Sequence, residues 1–208
     1  PLSQNEQLGV LTNHVSTITV EDKAYMVSQP DSLRGIHNAQ NIACALGCCL
    51  AFGQDIADCI PSVSSFSGLP HRMQIIARHN GLVFVNDSKA TNADSACHAL
   101  MSWPRSHWLV GGLAKNEDYQ KLSQTAALSG ATAYCFGKDG PLFMRVLSEQ
   151  IPCKLFTDLD EAFTSALSDA QEVGHATILL SPAAASFDAF ENFAKRGDVF
   201  IDLVERAT

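Results

Sequence analysis

The apolar and polar positions of this chain change period along its length. Residues 16–20 and 24–27 alternate on either side of the polar turn Glu21, Asp22, Lys23, which predicts a short hairpin. Over 38–52 the run NAQNIACALGCCLAF has its apolar residues at helical spacing and stops at Gly53, so it reads as a well-buried helix with a glycine C-terminal signal. A shorter helix is expected over about 56–63. The stretch SSFSGLPHR, rich in Ser, Gly and Pro, then separates two periodic regions as a domain linker does. A boundary near Ser67 divides the chain into 1–66 and 67–208.

Beyond it, 73–77 and 82–85 are β-rich runs joined by Arg78, His79, Asn80 and Gly81, where Asn-Gly signals a second hairpin. Apolar strands then follow at 108–110, 133–136, 154–156 and 177–180. Helical stretches separate them at about 94–101, 119–127, 141–149 and 159–170, and two terminal helices are expected at about 187–194 and 198–206. Strand–helix alternation of this kind predicts an α/β domain whose mainly parallel sheet is covered by helices on both faces. In such sheets ligands bind at the carboxyl ends of the strands.

Composition narrows the possible partners. The chain has 208 residues, 46% of them hydrophobic, enough to bury a sizeable core and too many for a disordered chain. Twenty-two acidic residues against 14 Lys plus Arg give a formal charge of −8, the wrong sign for gathering nucleic acid by phosphate neutralisation. A small anionic ligand in a local basic pocket stays open. No stretch has the roughly 18 apolar residues of a membrane span, and PLSQNEQLGV has no basic region followed by an apolar one, so a cytoplasmic setting is expected. The seven cysteines are odd in number and scattered, without zinc-ligand spacing. They read as reduced thiols packed in the core, notably the four in the Ala/Leu-rich stretch.

Three polar clusters follow predicted strands: Asn86-Asp87-Ser88-Lys89-Ala90-Thr91-Asn92, Gly111-Gly112-Leu113-Ala114-Lys115, and Ser181-Pro182-Ala183-Ala184-Ala185-Ser186. An Asp with Lys beside it and hydroxyls nearby offers an acceptor for a sugar hydroxyl and a cation for an anion. The glycine pair lets backbone approach a ligand before Lys115, and the Ser186 hydroxyl near a helix start suits a carboxylate. Each has a blander reading: Asp87 as a turn former, Ser186 as an N-cap, Lys89 and Lys115 as solvated charges. Likewise His37, Asn38 and Asn41 can be a polar helix start and Arg72 a strand-edge charge. Coincidence of all three clusters at strand ends favours a site for an anionic small molecule, with no reaction specified.

The segment Leu33-Arg34-Gly35-Ile36-His37-Asn38-Ala39-Gln40-Asn41 resembles the HNxxN element of the Mur ligase family. Gly68-Leu69-Pro70-His71-Arg72, NDSKATN at 86–92 and SPAAASFDAFENFAKRG at 181–197 resemble its D-glutamate-adding members. The resemblance spans about 33–197. Where the family pattern has Asp-Gly-Lys the chain has Leu113-Ala114-Lys115, keeping the lysine, and Phe187 stands where Leu is usual.

That resemblance implies a Rossmann-like C-terminal domain preceded by the tail of a P-loop-type central ATPase domain. It implies an ATP-dependent ligase of peptidoglycan synthesis, and hence of cell-wall biogenesis, cell shape and the division cycle. A substrate carboxylate on UDP-N-acetylmuramoyl-L-alanine becomes an acyl phosphate, and the amine of D-glutamate displaces phosphate with the help of Mg2+. It assigns Asn38, Asn41, Arg72 and Asp87 to ATP, and Lys89 to the phosphates or acyl phosphate as the catalytic cation. Thr91, Lys115, Ser186, Phe187 and Phe193 fall to D-glutamate. No Gly-x4-Gly-Lys-Ser/Thr phosphate loop occurs in these residues, nor the family's metal-binding acid, histidine and modified lysine. The expectation is therefore the C-terminal half of the enzyme, inactive alone, with no metal site of its own. Its first part would expose apolar helix faces around Ile42 and Leu46 unless the other half were present as another chain. The alternative is a stand-alone module binding D-glutamate or a nucleotide without chemistry.

Overall fold

A computed structural model describes residues 15–20 and 23–208. They form two compact units that divide between Gly68 and Leu69. In the first, β1 (Val15–Val20) and β2 (Lys23–Ser28) pair antiparallel. The turn residues Glu21 and Asp22 of the expected hairpin lie outside the described residues. Helix α1 (Ile36–Ala51) ends at Phe52, whose N–H returns to Cys48 O, and Gly53 takes φ 79°, the left-handed conformation a glycine stop provides. Helix α2 (Ile56–Ser64) starts at Asp55, whose carboxylate accepts the Ala57 N–H at 2.8 Å.

Ile18, Val27, Ile42, Leu46 and Ile56 make the core of this unit. Two expectations are corrected here. Helix α1 is buried along one stripe only, Ile42 and Leu46, and these are the residues expected to be uncovered. The exposed large apolar side chains on and just after α1 are instead Ile36, Leu50 and Phe52. The cysteines also divide: Cys97 and Cys135 are buried, whereas Cys44 and Cys48 are exposed because they fall on the outer faces of α1.

The second unit is a six-stranded sheet in the order β3-β4-β8-β5-β6-β7. Strands β3 (Gln74–His79) and β4 (Leu82–Asn86) form the predicted hairpin through Asn80 and Gly81, both at positive φ (48° and 82°), as a tight two-residue turn demands. The remaining neighbours are parallel: β8 (Ala176–Leu180), β5 (His107–Gly111), β6 (Thr132–Phe136) and β7 (Cys153–Leu155).

Alternate strand residues feed two separate cores. Val85, Trp108, Val110, Ala133, Cys135 and Leu179 pack on one face with α3 (Ala93–Ser102), α4 (Gln120–Ser129) and α5 (Gly140–Leu147). Phe84, Leu109, Tyr134, Phe136, Ile178 and Leu180 pack on the other with α6 (Leu159–Val173) and α7 (Phe193–Ala207). The fully buried Tyr134 ring is satisfied at its edge, its hydroxyl donating to Asp169 Oδ2 at 2.5 Å.

The pair of terminal helices is the other correction. Residues 187–192 run through turns, and one helix, α7, covers the rest. The Asn192 side chain accepts the Lys195 N–H at 2.9 Å and so fixes the start. Gly197, which separates two helices in the apolar pattern, lies inside α7 for a packing reason: a Cβ there would stand 2.2 Å from His71 Nδ1.

Gly197→Ala therefore tests packing against propensity. Alanine favours a helix interior by about 1 kcal/mol, while overfilling a packed site costs about 1–3 kcal/mol. A net loss of up to about 2 kcal/mol is expected in chemical denaturation, and a gain in stability would show that His71 can move aside.

Candidate functional site

The strand order brings the carboxyl ends of β4, β8 and β5 side by side. The loop after β4 is anchored by Asn86, fully buried, whose Nδ2 donates to Gly197 O at 2.9 Å and lies 3.2 Å from His71 Nδ1. Its Oδ1 accepts the Ser88 N–H at 3.1 Å. Asp87 continues the ladder by donating its N–H to Leu180 O at 2.7 Å. Its carboxylate is turned inward, Oδ1 accepting from Met73 N–H (3.2 Å) and Oδ2 from Ser181 Oγ (2.8 Å). Burial pushes the carboxyl up to about 7, against the lowering effects of these two bonds and of Arg72. Each carboxylate oxygen retains a lone pair for a further donor.

Strand β5 ends at Gly111 (φ 152°), and Gly112 (φ 121°) follows. A Cβ on Gly111 would fall 1.9 Å from Phe136 O, and one on Gly112 would fall 2.4 Å from Ala185 O. The glycine pair thus serves close backbone packing between loops. Leu113 N–H to Ala185 O (2.8 Å) and Ala185 N–H to Leu113 O (2.9 Å) zip this loop to the one after β8. Lys115 follows, with its side chain exposed.

The loop after β8 is held from below by Trp108, whose Nε1 donates to Ser181 O at 2.7 Å. Ser186 is buried at its end, and its carbonyl accepts from Phe190 N–H at 2.8 Å. Phe187 beside it is 69% exposed.

Arg196, on the first turns of α7, unites these loops. It is fully buried, and its Nε donates to Ser88 Oγ (3.0 Å). Nη2 donates to Ser88 O (2.9 Å) and Ala184 O (3.0 Å), and Nη1 lies 3.5 Å from Gly111 O. One guanidinium thus touches the loops after β4, β5 and β8. Burial lowers its pKa to about 10, partly offset by the charge of Asp188, so it is protonated at neutral pH. Ser88 Oγ passes the contact on by donating to Phe193 O at 2.7 Å. The Phe193 ring carries the Lys89 ammonium, 4.1 Å from its centroid.

Asp87, Lys89, Thr91, Lys115, Ser186, Phe187 and Phe193 therefore stand on cross-linked segments at one end of one sheet, and the exposed Arg72 acts on Asp87 through space. Asn38 and Asn41 belong to the first unit, in the opening turns of α1. There Asn38 Nδ2 donates to Arg34 O (3.0 Å) and Asn41 Nδ2 to Asn38 Oδ1 (3.2 Å). Asn86, Ser88, Trp108, Ser181 and Arg196 escape a reading based on exposed chemistry. Asn86, Ser88, Ser181 and Arg196 lie inside the quoted motifs, but nothing in the sequence marks that arginine as buried. Among the described residues no three or more His, Cys, Asp or Glu side chains gather to hold a metal ion. No described helix is long and apolar enough to cross a membrane.

Residues 71–184 match the family described as Mur ligase, glutamate ligase domain. The chain is 44% identical over 172 residues to the UDP-N-acetylmuramoylalanine--D-glutamate ligase of Rhizobium meliloti, covering 82% of this chain and 37% of that protein. The same-named ligase of Brucella abortus is 41% identical over 176 residues, 83% of this chain and 38% of that one. The chain thus spans well under half the length of these relatives. In fold it is similar to UDP-N-acetylmuramate-alanine ligase MurC of Thermotoga maritima (TM-score 0.65, 14% identity, 94% of this chain and 44% of that one). It is also similar to folylpolyglutamate synthase of Mycobacterium tuberculosis complexed with ADP (TM-score 0.61, 13% identity, 89% and 46%).

Two outcomes follow from the buried charges. Asp87 binds a proton more readily folded than unfolded, so its contribution is complete below about pH 4 and is lost as pH rises to about 7. Asp87→Asn should flatten that part of the melting temperature against pH, and an unchanged profile would show that Asp87 titrates normally. Arg196→Met strands the Ser88 and Ala184 carbonyls, at about 1–3 kcal/mol each. A loss of at least about 2 kcal/mol is expected by denaturant unfolding.

Proposed function

This chain belongs to the Mur ligase family, and on that premise we propose that it is the amino-acid-binding part of a ligase joining D-glutamate to UDP-N-acetylmuramoyl-L-alanine at the cost of ATP. The observation that carries this reading is the convergence of Lys89, Lys115 and Ser186 on loops joined through Arg196, at the end of a parallel sheet where ligands bind. These are basic and hydroxyl side chains in a chain of net charge −8, so the local chemistry is selective for an anion.

A dicarboxylate needs a cation and several donors. Lys115 with the hydroxyls of Thr91 and Ser186 supplies them, and Phe187 and Phe193 contribute partly through backbone groups. Arg72 and Asp87 serve the nucleotide, Asp87 through its remaining lone pairs toward ribose hydroxyls, and Asn38 and Asn41 serve the adenosine side. Lys89 is drawn from the Phe193 ring toward the transferring phosphoryl group, offsetting its charge. The reaction passes through an acyl phosphate: the substrate carboxylate takes the terminal phosphoryl group of ATP as ADP leaves, and the amine nitrogen of D-glutamate then forms the amide as phosphate leaves and the amine loses its proton. Mg2+ would neutralise the ATP phosphates, held by groups other than a cage in the described residues.

In this reading residues 1–66 are the tail of a central ATP-binding domain and 67–208 a ligase domain. The setting is peptidoglycan synthesis in the cytoplasm, where UDP-linked precursors and ATP are available.

The test is D-glutamate-dependent ADP release with UDP-N-acetylmuramoyl-L-alanine, ATP and Mg2+. The 208-residue chain alone should release none, whereas a protein restoring the length of its relatives should. In that protein Lys115→Ala should raise the KM for D-glutamate by about tenfold or more, as loss of a charge-assisted contact predicts. An unchanged KM would remove Lys115 from the site.

A further inference from the structure

Lys115 is exposed on a loop, and an ammonium on a long stem is a useful ligand only if its backbone is held. Beside the local bond from Glu117 N–H to Lys115 O (3.0 Å), two side-chain contacts hold it, and both lead to helix α5. Ala114 N–H donates to Asp139 Oδ2 at 2.7 Å, and Asp139 N–H donates back to Gly112 O at 3.0 Å. The Tyr119 hydroxyl donates to Lys115 O at 2.8 Å. Tyr119 is 7% exposed and sits immediately before α4, its ring meeting Phe143 of α5 edge to face at 5.3 Å between centroids. Phe143 is fully buried, so the ring has a rigid seat. Asp139 begins α5 and accepts the Phe143 N–H at 3.2 Å, which ties the two anchors to one turn of helix. The phenol stays protonated, its pKa raised by burial and by Glu117, and so keeps its donor.

We propose that Tyr119 and Asp139 are positioning residues that present Lys115 to the carboxylate of the incoming amino acid, by fixing the carbonyl of Lys115 and the amide before it. The proposal rests on the D-glutamate reading above. It makes the two bonds part of amino-acid affinity, since a loop already ordered loses less freedom when the ammonium binds. Tyr119 lies outside the strand-end motifs, and an apolar aromatic at that position would fill the same seat beside Phe143 without supplying the hydroxyl.

Tyr119→Phe keeps the ring and removes only the donor. In the full-length ligase it should raise the KM for D-glutamate about threefold to tenfold, the range of one neutral hydrogen bond, with kcat and the KM for ATP within twofold. In a Lys115→Ala background the same change should add nothing, because its effect runs through that side chain. In the 208-residue chain, amide exchange over 113–117 should quicken while the melting temperature barely moves.

A KM for D-glutamate unchanged in Tyr119→Phe, or an equal effect with and without Lys115, would overturn the positioning role. So would a fall in melting temperature with no change in KM, the mark of a merely structural hydroxyl. Failure of the unmutated full-length protein to use D-glutamate at all would instead overturn the functional reading beneath it. Asp139→Asn, weakening the Ala114 contact, should move the KM in the same direction.

Discussion

The Arg196 guanidinium is fully buried and bonded to uncharged oxygens, so its donors depend on backbone carbonyls and one serine hydroxyl. A buried cation left unpaired is costly, and this requirement makes the loops after β4, β5 and β8 converge on one point. Each could adopt many conformations separately. With a shared partner, the position of Ser88 constrains that of Ala184 and Gly111. The side chains suited to ligand binding, Lys89, Lys115 and Ser186, follow these shared positions within a few residues.

The close approach of the loops imposes a second constraint, absence of bulk. Gly111 and Gly112 lie where a Cβ would meet Phe136 O and Ala185 O, and Gly197 yields its side-chain volume to His71. His71 in turn touches the Asn86 amide and stands edge-on to the Phe193 ring. The small residues at these points are matched to their neighbours, and Gly111 and Gly112 also to a positive φ. Their combination with buried polar groups forms a packed, hydrogen-bonded floor beneath the half-buried Lys89 and the exposed Lys115.

Charge is distributed to the same end. Asp87 is held inward by Ser181 and Met73, while Lys89 rests on an aromatic face and Lys115 reaches solvent. The acid is withdrawn from solvent, whereas Lys89 is half-buried and Lys115 is exposed. Within Leu113-Ala114-Lys115 the Ala114 amide donates to the carboxylate of Asp139, at the start of α5.

The sequence by itself determined the second unit's elements apart from the helix expected at 187–194, because alternation in strands and helical spacing between them are local properties. The Asn80-Gly81 turn and the parallel strands at 108–110, 133–136 and 177–180 were legible to within a residue or so for that reason. The strand-end clusters were legible too, since exposed polar residues after apolar runs reveal themselves, and the Mur resemblance added roles to them. What only the tertiary structure decided was anything requiring knowledge of a distant partner. Gly197 lies between the two terminal helices expected from the pattern, yet it is interior to α7 because His71 occupies the volume of its missing side chain, and nothing local to Arg196 marks it as the point where three loops close. Cys44 and Cys48 resembled core residues until one face of α1 was seen to be open. Local pattern specifies which elements form, whereas burial and the satisfaction of buried donors depend on contacts between residues far apart in the chain.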